Sequence, residues 1–209
     1  MISFVLEIIS NFILTVIAKI GYGGIFLLML LQSFNIPIPS EITMPFSGFL
    51  ASQGIFNFWL AVFAGAFGNL AGALLSYKFA GVLLKNGLRK KWAVLRFLIN
   101  ENHLELAQKW FAKYGSLSVF FGRLLPVVST FISFPAGLAK MNLLKFSSLT
   151  FVGSLFWSFI LTKLGFIFGE NWQVLQIYFR KFDYLIVAAI LIGIVWFIWK
   201  HLRYRKFEL

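Results

Sequence analysis

Long apolar segments limit this chain to a narrow set of folds. The longest runs from about Phe58 to Leu84, and the segments Phe146 to Phe168 and Tyr184 to Trp199 have the same character. A helix needs about 20 apolar residues to cross the hydrocarbon of a bilayer. Because 60% of the 209 residues are hydrophobic and only 12% are charged, a soluble domain is excluded. The sequence predicts an all-α membrane protein, a polytopic helical bundle.

The charged residues are mostly basic. Nineteen Lys and Arg residues against seven Asp and Glu residues give a net charge of +12. Basic residues beside membrane spans normally set topology and contact anionic lipid, and no nucleic-acid motif accompanies them here. We therefore expect membrane lipids as partners and no nucleic acid. The chain has no cysteine, which excludes disulfides, thiolate metal sites and a cysteine nucleophile.

The pattern of apolar and basic stretches divides one membrane domain, residues 1–209, into six segments. At the N-terminus, Glu7 and the lack of a basic flank argue against a cleavable signal peptide. The predicted segments are an interfacial helix at 1–20, a first hairpin-plus-span unit at 25–84, a basic amphipathic connection at 85–113, a second hairpin-plus-span unit at 117–169, a final span at 184–199 and a basic tail at 200–209.

The basic connection and the basic tail should both face the cytoplasm, because short loops rich in Lys and Arg are seldom translocated. If the segments Phe146–Phe168 and Tyr184–Trp199 each cross once, the segment Leu117–Ala139 must enter and leave on one side. It is predicted to be a re-entrant hairpin that dips in from the cytoplasmic face. The same reasoning places a first hairpin, before Phe58, at the outer face and the C-terminus in the cytoplasm.

All the prolines of the chain lie in these two hairpin segments. Proline removes a backbone donor and clashes with the preceding turn, and broken backbone at membrane depth is tolerated only inside protein or beside water. Kinked helices that pack through small residues are the alternative explanation. The backbone positions that we assign to the two hairpins are Pro37, Pro39, Pro45, Gly48, Pro126, Pro135 and Gly137.

The two units also share a spacing of Pro, Gly, Phe, Gly and Gly. The separations are 11, 10, 7 and 16 positions in one unit and 11, 9, 7 and 16 in the other: Pro37, Gly48, Phe58, Gly65 and Gly81, and Pro126, Gly137, Phe146, Gly153 and Gly169. With the opposite orientations inferred above, this predicts an inverted repeat with its site near the midplane. GxxxG spacings at 68–72 and 165–169 fit either packing within one chain or a homodimer.

One acid and one base stand out because they lie within the broken segments. A charge at bilayer depth normally faces a cavity, a partner or a proton path, so Glu41 and Arg123 are the leading functional candidates. A guanidinium offers planar donors to a carboxylate or a phosphate. The alternatives are that Glu41 caps a helix at the outer water interface and that Arg123 snorkels to the cytoplasmic interface.

Three ordered stretches resemble the bacterial DedA family, also called the SNARE-associated or VTT domain. They are "IPIPSEITMPFSGFLA", "GNLAGALLSYKFAG" and "FFGRLLPVVSTFISFPAGLAKMNLLKFSSLTFVGSLFW". The resemblance implies paired re-entrant hairpins in a protein of the bacterial inner membrane that moves lipid between leaflets. The implied substrate is a polyprenyl phosphate such as undecaprenyl phosphate, or a phospholipid such as phosphatidylethanolamine, with the proton gradient as a suspected energy source.

The resemblance also assigns roles by position. Glu41 and Arg123 match the family's hairpin acid and first hairpin arginine, whereas Gln32 and Ser129 stand where many members have a second glutamate and a second arginine. This loss of two charges makes proton coupling less certain than lipid binding and leaves passive scrambling open. The candidate substrate-binding residues are Arg123, Glu41, Ser40, Ser129, Thr130 and Gln32, and Glu41 is the candidate for proton coupling.

The sequence therefore predicts a lipid flippase or scramblase rather than an enzyme, with neither cofactor nor metal. An ion or proton channel or antiporter is the main alternative, because opposed hairpins also build pores. A membrane enzyme acting on lipid phosphate is less favoured, since no nucleophile lies beside a candidate base and the sequence has no P-loop, HExxH motif or serine-hydrolase elbow.

Overall fold

Helices make up nearly all of the chain that the computed structural model describes, residues 2–85 and 117–171. The helices of the first range are α1 (Ile2–Ile20), α2 (Tyr22–Ser33), α3 (Ser40–Ser52) and α4 (Phe58–Lys85). Those of the second range are α5 (Leu117–Arg123), α6 (Pro126–Phe131), α7 (Ser133–Leu138) and α8 (Leu143–Phe168), followed by a 3-10 turn at Gly169–Asn171. The two ranges contain no strand, which confirms the predicted all-α class.

Among residues 2–85 and 117–171, two helices are long and apolar enough to cross a membrane. They cover Phe58–Val82 and Leu143–Asn171, each with a mean hydropathy of 1.7, and they agree with the first two apolar segments of the sequence. α8 begins before the predicted Phe146 because the Asn142 side chain caps it, accepting a hydrogen bond from the Lys145 amide at 3.1 Å. The predicted final span at 184–199, the basic tail and nearly all of the basic connection at 85–113 lie outside the described residues.

Both proline-rich segments are broken, but not at every proline. The first break is the connector 34–39 between α2 and α3, where Asn35 has φ 71. The second lies at 124–125, between α5 and α6, and Ile132 alone separates α6 from α7. Pro45 lies inside the continuous helix α3, and Pro135 lies inside α7.

Position within the helix explains both exceptions. Pro135 occupies the first turn of α7, where backbone N–H groups have no helical acceptor, so nothing is lost. Around Pro45 two hydroxyl groups bond to backbone carbonyls, Thr43 to Pro39 at 3.2 Å and Ser47 to Thr43 at 2.7 Å. Membrane helices tolerate an internal proline where Ser and Thr side chains and neighbouring helices support the backbone in this way.

Glycines allow the helices to approach one another closely. A methyl group added to Gly68 or Gly72 of α4 would clash with carbonyl oxygens of α2. One added to Gly48 of α3 would clash with the backbone of α8, as would one at Gly165 of α8 with the backbone of α3. The GxxxG spacing at 68–72 therefore serves packing within the chain, between α2 and α4.

The helices pack across the two halves of the chain. α3, which follows the first break, packs against α8, and α7, which follows the second break, packs against α4. Gly48 of α3 and Gly165 of α8 both allow a close backbone approach in the first contact, and Gly137 does so in the second, against Tyr77 of α4. α2 packs against α4 and α5 against α8, so each long helix contacts short helices from both halves.

Apolar side chains lie both inside the bundle and on its surface. Ile13 and Ile17 of α1 are buried against residues of α2 and α3, so α1 joins the helical core; its predicted interfacial position stays a prediction. On the surface of the bundle, the side chains of Trp59, Phe63 and Phe67 of α4 are exposed at intervals of four residues. An outward apolar stripe of this kind fits a helix that faces lipid rather than water.

Candidate functional site

Arg123 ends α5 and is only 2% exposed. Its guanidinium group donates from Nη1 to Ser33 Oγ at 3.2 Å and to the Ser129 carbonyl oxygen at 3.0 Å, and from Nη2 to Ser133 Oγ at 2.5 Å. The Nε atom is buried and has no partner among the described residues. We call Arg123, Ser33, Ser129 and Ser133 the arginine cluster.

The arginine cluster decides between the two interpretations of Arg123. A snorkelling arginine extends its head group to water, whereas this guanidinium is enclosed and held by oxygen atoms from α2, α6 and α7. Three oxygens without formal charge accept its protons within the described residues. Burying a cation costs free energy unless the cation is paired or hydrogen-bonded. The positive charge of the Arg123 guanidinium is well suited to binding an anion.

Asn69 of α4 fixes one member of the arginine cluster. Ser33 Oγ donates to Asn69 Oδ1 at 2.5 Å, while the same oxygen accepts from Arg123. Asn69 is buried, so the relay of three residues joins α2, α4 and α5 inside the protein. Sequence reasoning missed Asn69, although an amide within an otherwise apolar span is a usable signal, because polar groups at membrane depth need a partner.

Glu41 lies in a second polar group at the start of α3. It is 5% exposed, and its Oε1 accepts from Ser40 Oγ at 3.0 Å. The same Ser40 oxygen accepts from Gln32 Nε2 at 3.3 Å and from Trp157 Nε1 of α8 at 3.4 Å. We call these four residues the glutamate cluster. The burial of Glu41 argues against the interpretation as a cap exposed at the water interface.

The two clusters meet at the C-terminal end of α2 and in the middle of α8. Neighbouring residues of α2 contact both, since Gln32 bonds to the glutamate cluster and Ser33 to the arginine cluster. On α8, a methyl group added to Gly153 would lie 3.0 Å from Arg123 Cβ, and Trp157 follows one turn later. The fold thus brings residues from both broken segments to one buried region.

The predicted site residues fall into three groups. Arg123, Glu41, Ser40 and Gln32 belong to the two clusters, and Ser129 contributes its backbone carbonyl to Arg123. Thr130 is buried beside Ser129 without a described role. Ser33 and Ser133 were not predicted, because a serine gives no sequence signal of its own when its partner is supplied by a distant helix.

The chemistry of this region is that of an anion site next to an acid. Arg123 and the hydroxyls of Ser33 and Ser133 are groups that bind phosphate oxygens well, and the glutamate cluster supplies a carboxylate. Within residues 2–85 and 117–171, no three His, Asp or Glu side chains gather as metal ligands would.

Comparison with known proteins adds an independent line of observation. The model of the family described as VTT domain matches residues 38–167. The chain is 31% identical to "Alkaline phosphatase-like protein" of Lactococcus lactis subsp. cremoris (strain MG1363), over 91% of this chain and 92% of that protein.

Two further relatives are named "Undecaprenyl phosphate transporter A". The one from Bacillus subtilis (strain 168) is 35% identical, over 77% of this chain and 78% of that protein. The one from Staphylococcus aureus (strain NCTC 8325 / PS 47) is 27% identical, over 96% and 98%. No solved structure is significantly similar to this chain.

Proposed function

The chain belongs to the VTT-domain family, the DedA family, and we propose that it is a membrane protein that moves a phosphate-bearing lipid between leaflets. Two relatives that match most of this chain are named undecaprenyl phosphate transporters, which favours a polyprenyl phosphate as substrate over phosphatidylethanolamine. These names also favour a transporter over an enzyme. We propose the bacterial inner membrane as its location, with the C-terminus in the cytoplasm because short basic segments are seldom translocated.

One observation supports this function more than any other. The guanidinium of Arg123 is enclosed at 2% exposure and is held by oxygens of Ser33, Ser129 and Ser133 that have no formal charge. A lipid phosphate that leaves the water interface loses its hydration and needs a compensating charge. Arg123 supplies that charge in a planar donor group suited to phosphate, and the serine oxygens are neutral ligands that a phosphate can displace.

We propose further that the chain is built as an inverted repeat of two re-entrant hairpins, each followed by a span. The support is the reciprocal packing of the helices, in which α3 contacts α8 through Gly48 while α7 contacts α4 through Gly137. These glycines occupy equivalent positions in the sequence spacing. Each hairpin would then enter from a different face and deliver its cluster to the region where the units meet, near the midplane.

Glu41 is the proposed proton-coupling residue. In this mechanism its carboxylate competes with phosphate for the positive charge of Arg123, and protonation of Glu41 favours phosphate binding. Gln32 bonds to the same Ser40 oxygen as Glu41 does, but as an amide it does not titrate. Coupling therefore depends on one carboxylate, which permits a weakly coupled or passive transporter more readily than two would.

The test is lipid movement by the purified protein in vesicles. A labelled polyprenyl phosphate is placed in one leaflet, and its appearance in the other is followed over time. The protein should accelerate this movement, Arg123→Gln should abolish the acceleration, and Glu41→Gln should remove its dependence on pH. Ser147→Ala is the control, because Ser147 bonds only to the backbone of its own helix at the surface of α8, Leu143 O at 2.7 Å.

The same vesicles separate the alternatives. Movement of the labelled lipid at the rate of protein-free vesicles would refute the transport function. Conductance without lipid movement would identify an ion channel. The name "Alkaline phosphatase-like protein" of the Lactococcus relative motivates one more measurement. Release of inorganic phosphate from the lipid would identify an enzyme instead.

A further inference from the structure

A row of hydroxyl groups runs along the buried face of α8, apart from the arginine and glutamate clusters. Its members follow one another at intervals of four residues: Thr150, Ser154, Ser158 and Thr162. Each is at most 2% exposed. None of the four side-chain oxygens has a hydrogen-bond partner in the described part of the chain. We call these four residues the hydroxyl row.

Helix packing alone does not account for the hydroxyl row. Ser and Thr in a helix commonly bond to the carbonyl four residues earlier, and this chain uses that bond elsewhere. Thr15 bonds to Asn11 O, Ser47 to Thr43 O and Ser147 to Leu143 O, each at 2.7 Å. The members of the row do not, although Ser147 shows that α8 allows it. Because a buried hydroxyl without a partner is destabilising, the row is suited to a partner from outside the protein.

The row passes beside both polar clusters. Ser154 follows Gly153, the residue that packs against Arg123, and Ser158 follows Trp157, which bonds to Ser40. Since an α-helix turns by 100° per residue, steps of four residues rotate the row by about 120° over a rise of about 18 Å. It therefore winds from the side of α8 that faces α5 toward the side that faces α3.

Other polar atoms with unused bonding capacity lie at the two clusters. Arg123 Nε and Gln32 Oε1 are both buried and have no partner within the described residues. Ser158 Oγ lies opposite Gly65 of α4, where an added methyl group would come within 3.1 Å of it. The Met44 side chain of α3 lies at the same point, with its Sδ and Cε atoms 2.7 Å from the added methyl group, so Ser158 lies where α3, α4 and α8 meet.

We propose that the hydroxyl row lines the path along which a phosphate group moves between the arginine cluster and the glutamate cluster. This inference rests on the proposed function and names the surface that the phosphate follows. Hydroxyl groups donate to phosphate oxygens without adding charge, so each binds the phosphate more weakly than a guanidinium does. Weak successive sites allow a charged group to enter and to leave again, as conduction requires.

The first test measures access to the row and does not depend on transport. The chain has no native cysteine, so single substitutions give a clean background. Ser154→Cys and Ser158→Cys, which replace Oγ by Sγ, should react with a negatively charged, membrane-impermeant thiosulfonate at least about tenfold faster than two controls on the same helix. The controls are Leu161→Cys, in the buried apolar core, and Val152→Cys, on the exposed apolar face.

Protection of the introduced cysteines from modification then identifies the compound that occupies the path. Polyprenyl phosphate in the vesicle membrane should slow modification at both serine positions. If inorganic phosphate in the buffer protects equally, the path accepts free phosphate as well; if it does not, the path is specific to the lipid. Modification that neither compound slows would refute a phosphate path, and unreactive thiols at both positions in folded protein would refute any path along the row.

The second test separates a path from a structural role. The double variant Ser154→Ala and Ser158→Ala removes two buried hydroxyl groups that have no partner among the described residues, so its Tm in detergent should rise. Its rate of lipid transport should nevertheless fall by about two- to tenfold for each hydrogen bond to phosphate that is lost. Ser147→Ala should leave the transport rate unchanged. Transport at the wild-type rate in the double variant would refute the proposal. If the wild-type protein moves no phosphate lipid, the proposed function fails, and the thiol measurements still decide whether the row is a phosphate path.

Discussion

Asn69 should affect the proposed transport site through a single hydrogen bond to Ser33, which in turn bonds to the guanidinium of Arg123. Its Oδ1 accepts from Ser33 Oγ at 2.5 Å, and Ser33 Oγ accepts from Arg123 at 3.2 Å. Asn69→Ala leaves the Ser33 hydroxyl free to rotate away from Arg123. Measured hydrogen bonds between membrane helices average about 0.6 kcal/mol and reach about 1.7 kcal/mol. We expect a coupling free energy of this size between Ser33 and Asn69, which corresponds to about 3- to 18-fold in an equilibrium constant.

A double-mutant cycle measures this coupling. Asn69→Ala, Ser33→Ala and the double variant are compared for free energy of unfolding in detergent and for the rate of polyprenyl phosphate transport. Because Asn69 acts through Ser33, Asn69→Ala should slow transport in the wild-type background and have no further effect when Ser33 is already alanine. A second cycle, between Asn69→Ala and the distant surface variant Ser147→Ala, should be additive.

Two results would refute this reasoning. Additive losses of stability for Asn69→Ala and Ser33→Ala would mean that the hydrogen bond adds no measurable stability. Equal slowing of transport by Asn69→Ala with and without the Ser33 hydroxyl would mean that Asn69 affects the substrate by another route. Either outcome would end its assignment as a positioning residue while leaving the role of Arg123 open to its own test.

Three further predictions concern single substitutions. On α4, Gly72→Ala should lower Tm, because the added methyl group would clash with the backbone of α2. At Gly81 an added methyl group meets no atom within 4 Å, so Gly81→Ala should stabilise the helix by up to about 1 kcal/mol. Equal effects of the two substitutions on Tm would contradict the packing of α2 on α4. Gln32→Glu should make transport depend more steeply on pH than in the wild type, because a second carboxylate joins Glu41; an unchanged pH profile would remove this region from the coupling mechanism. Tyr77→Phe should lower the free energy of unfolding by about 0.5–1.5 kcal/mol, because it deletes the hydrogen bond from Tyr77 to a carbonyl after α7, and an unchanged value would show that this bond adds nothing.

Much of the architecture was predictable because it follows from local physics. The apolar segments 58–84 and 146–168 were long enough to demand helices, and both are helical. Clustered prolines correctly marked the two broken segments. They did not mark the break points, since whether a proline interrupts a helix depends on its place in the helix and on nearby side chains, as Pro45 and Pro135 show.

The candidate site was predictable only in part. A charge among apolar residues is visible in sequence because membrane depth makes it costly, and this signal selected Glu41 and Arg123. Ser33 and Ser133 gave no such signal, as short polar side chains are common in membrane helices, and the weaker signal of the Asn69 amide was missed. Their importance appears only when partners that are distant along the chain become neighbours, as with Arg123 and Ser33, which are 90 residues apart.

The sequence by itself therefore determined the membrane environment, the helical class, the positions of the broken segments and the two charged candidates Glu41 and Arg123, because each depends on the free energy of moving one local stretch out of water. Tertiary structure decided which groups meet. Arg123 is surrounded by serine oxygens from three helices, Gly48 and Gly137 allow α3 and α7 to pack on the long helix of the other half, and four hydroxyls of α8 are left without partners among the described residues. Such contacts depend on how helices cross, and helix crossing is a property of the assembled bundle rather than of any one segment.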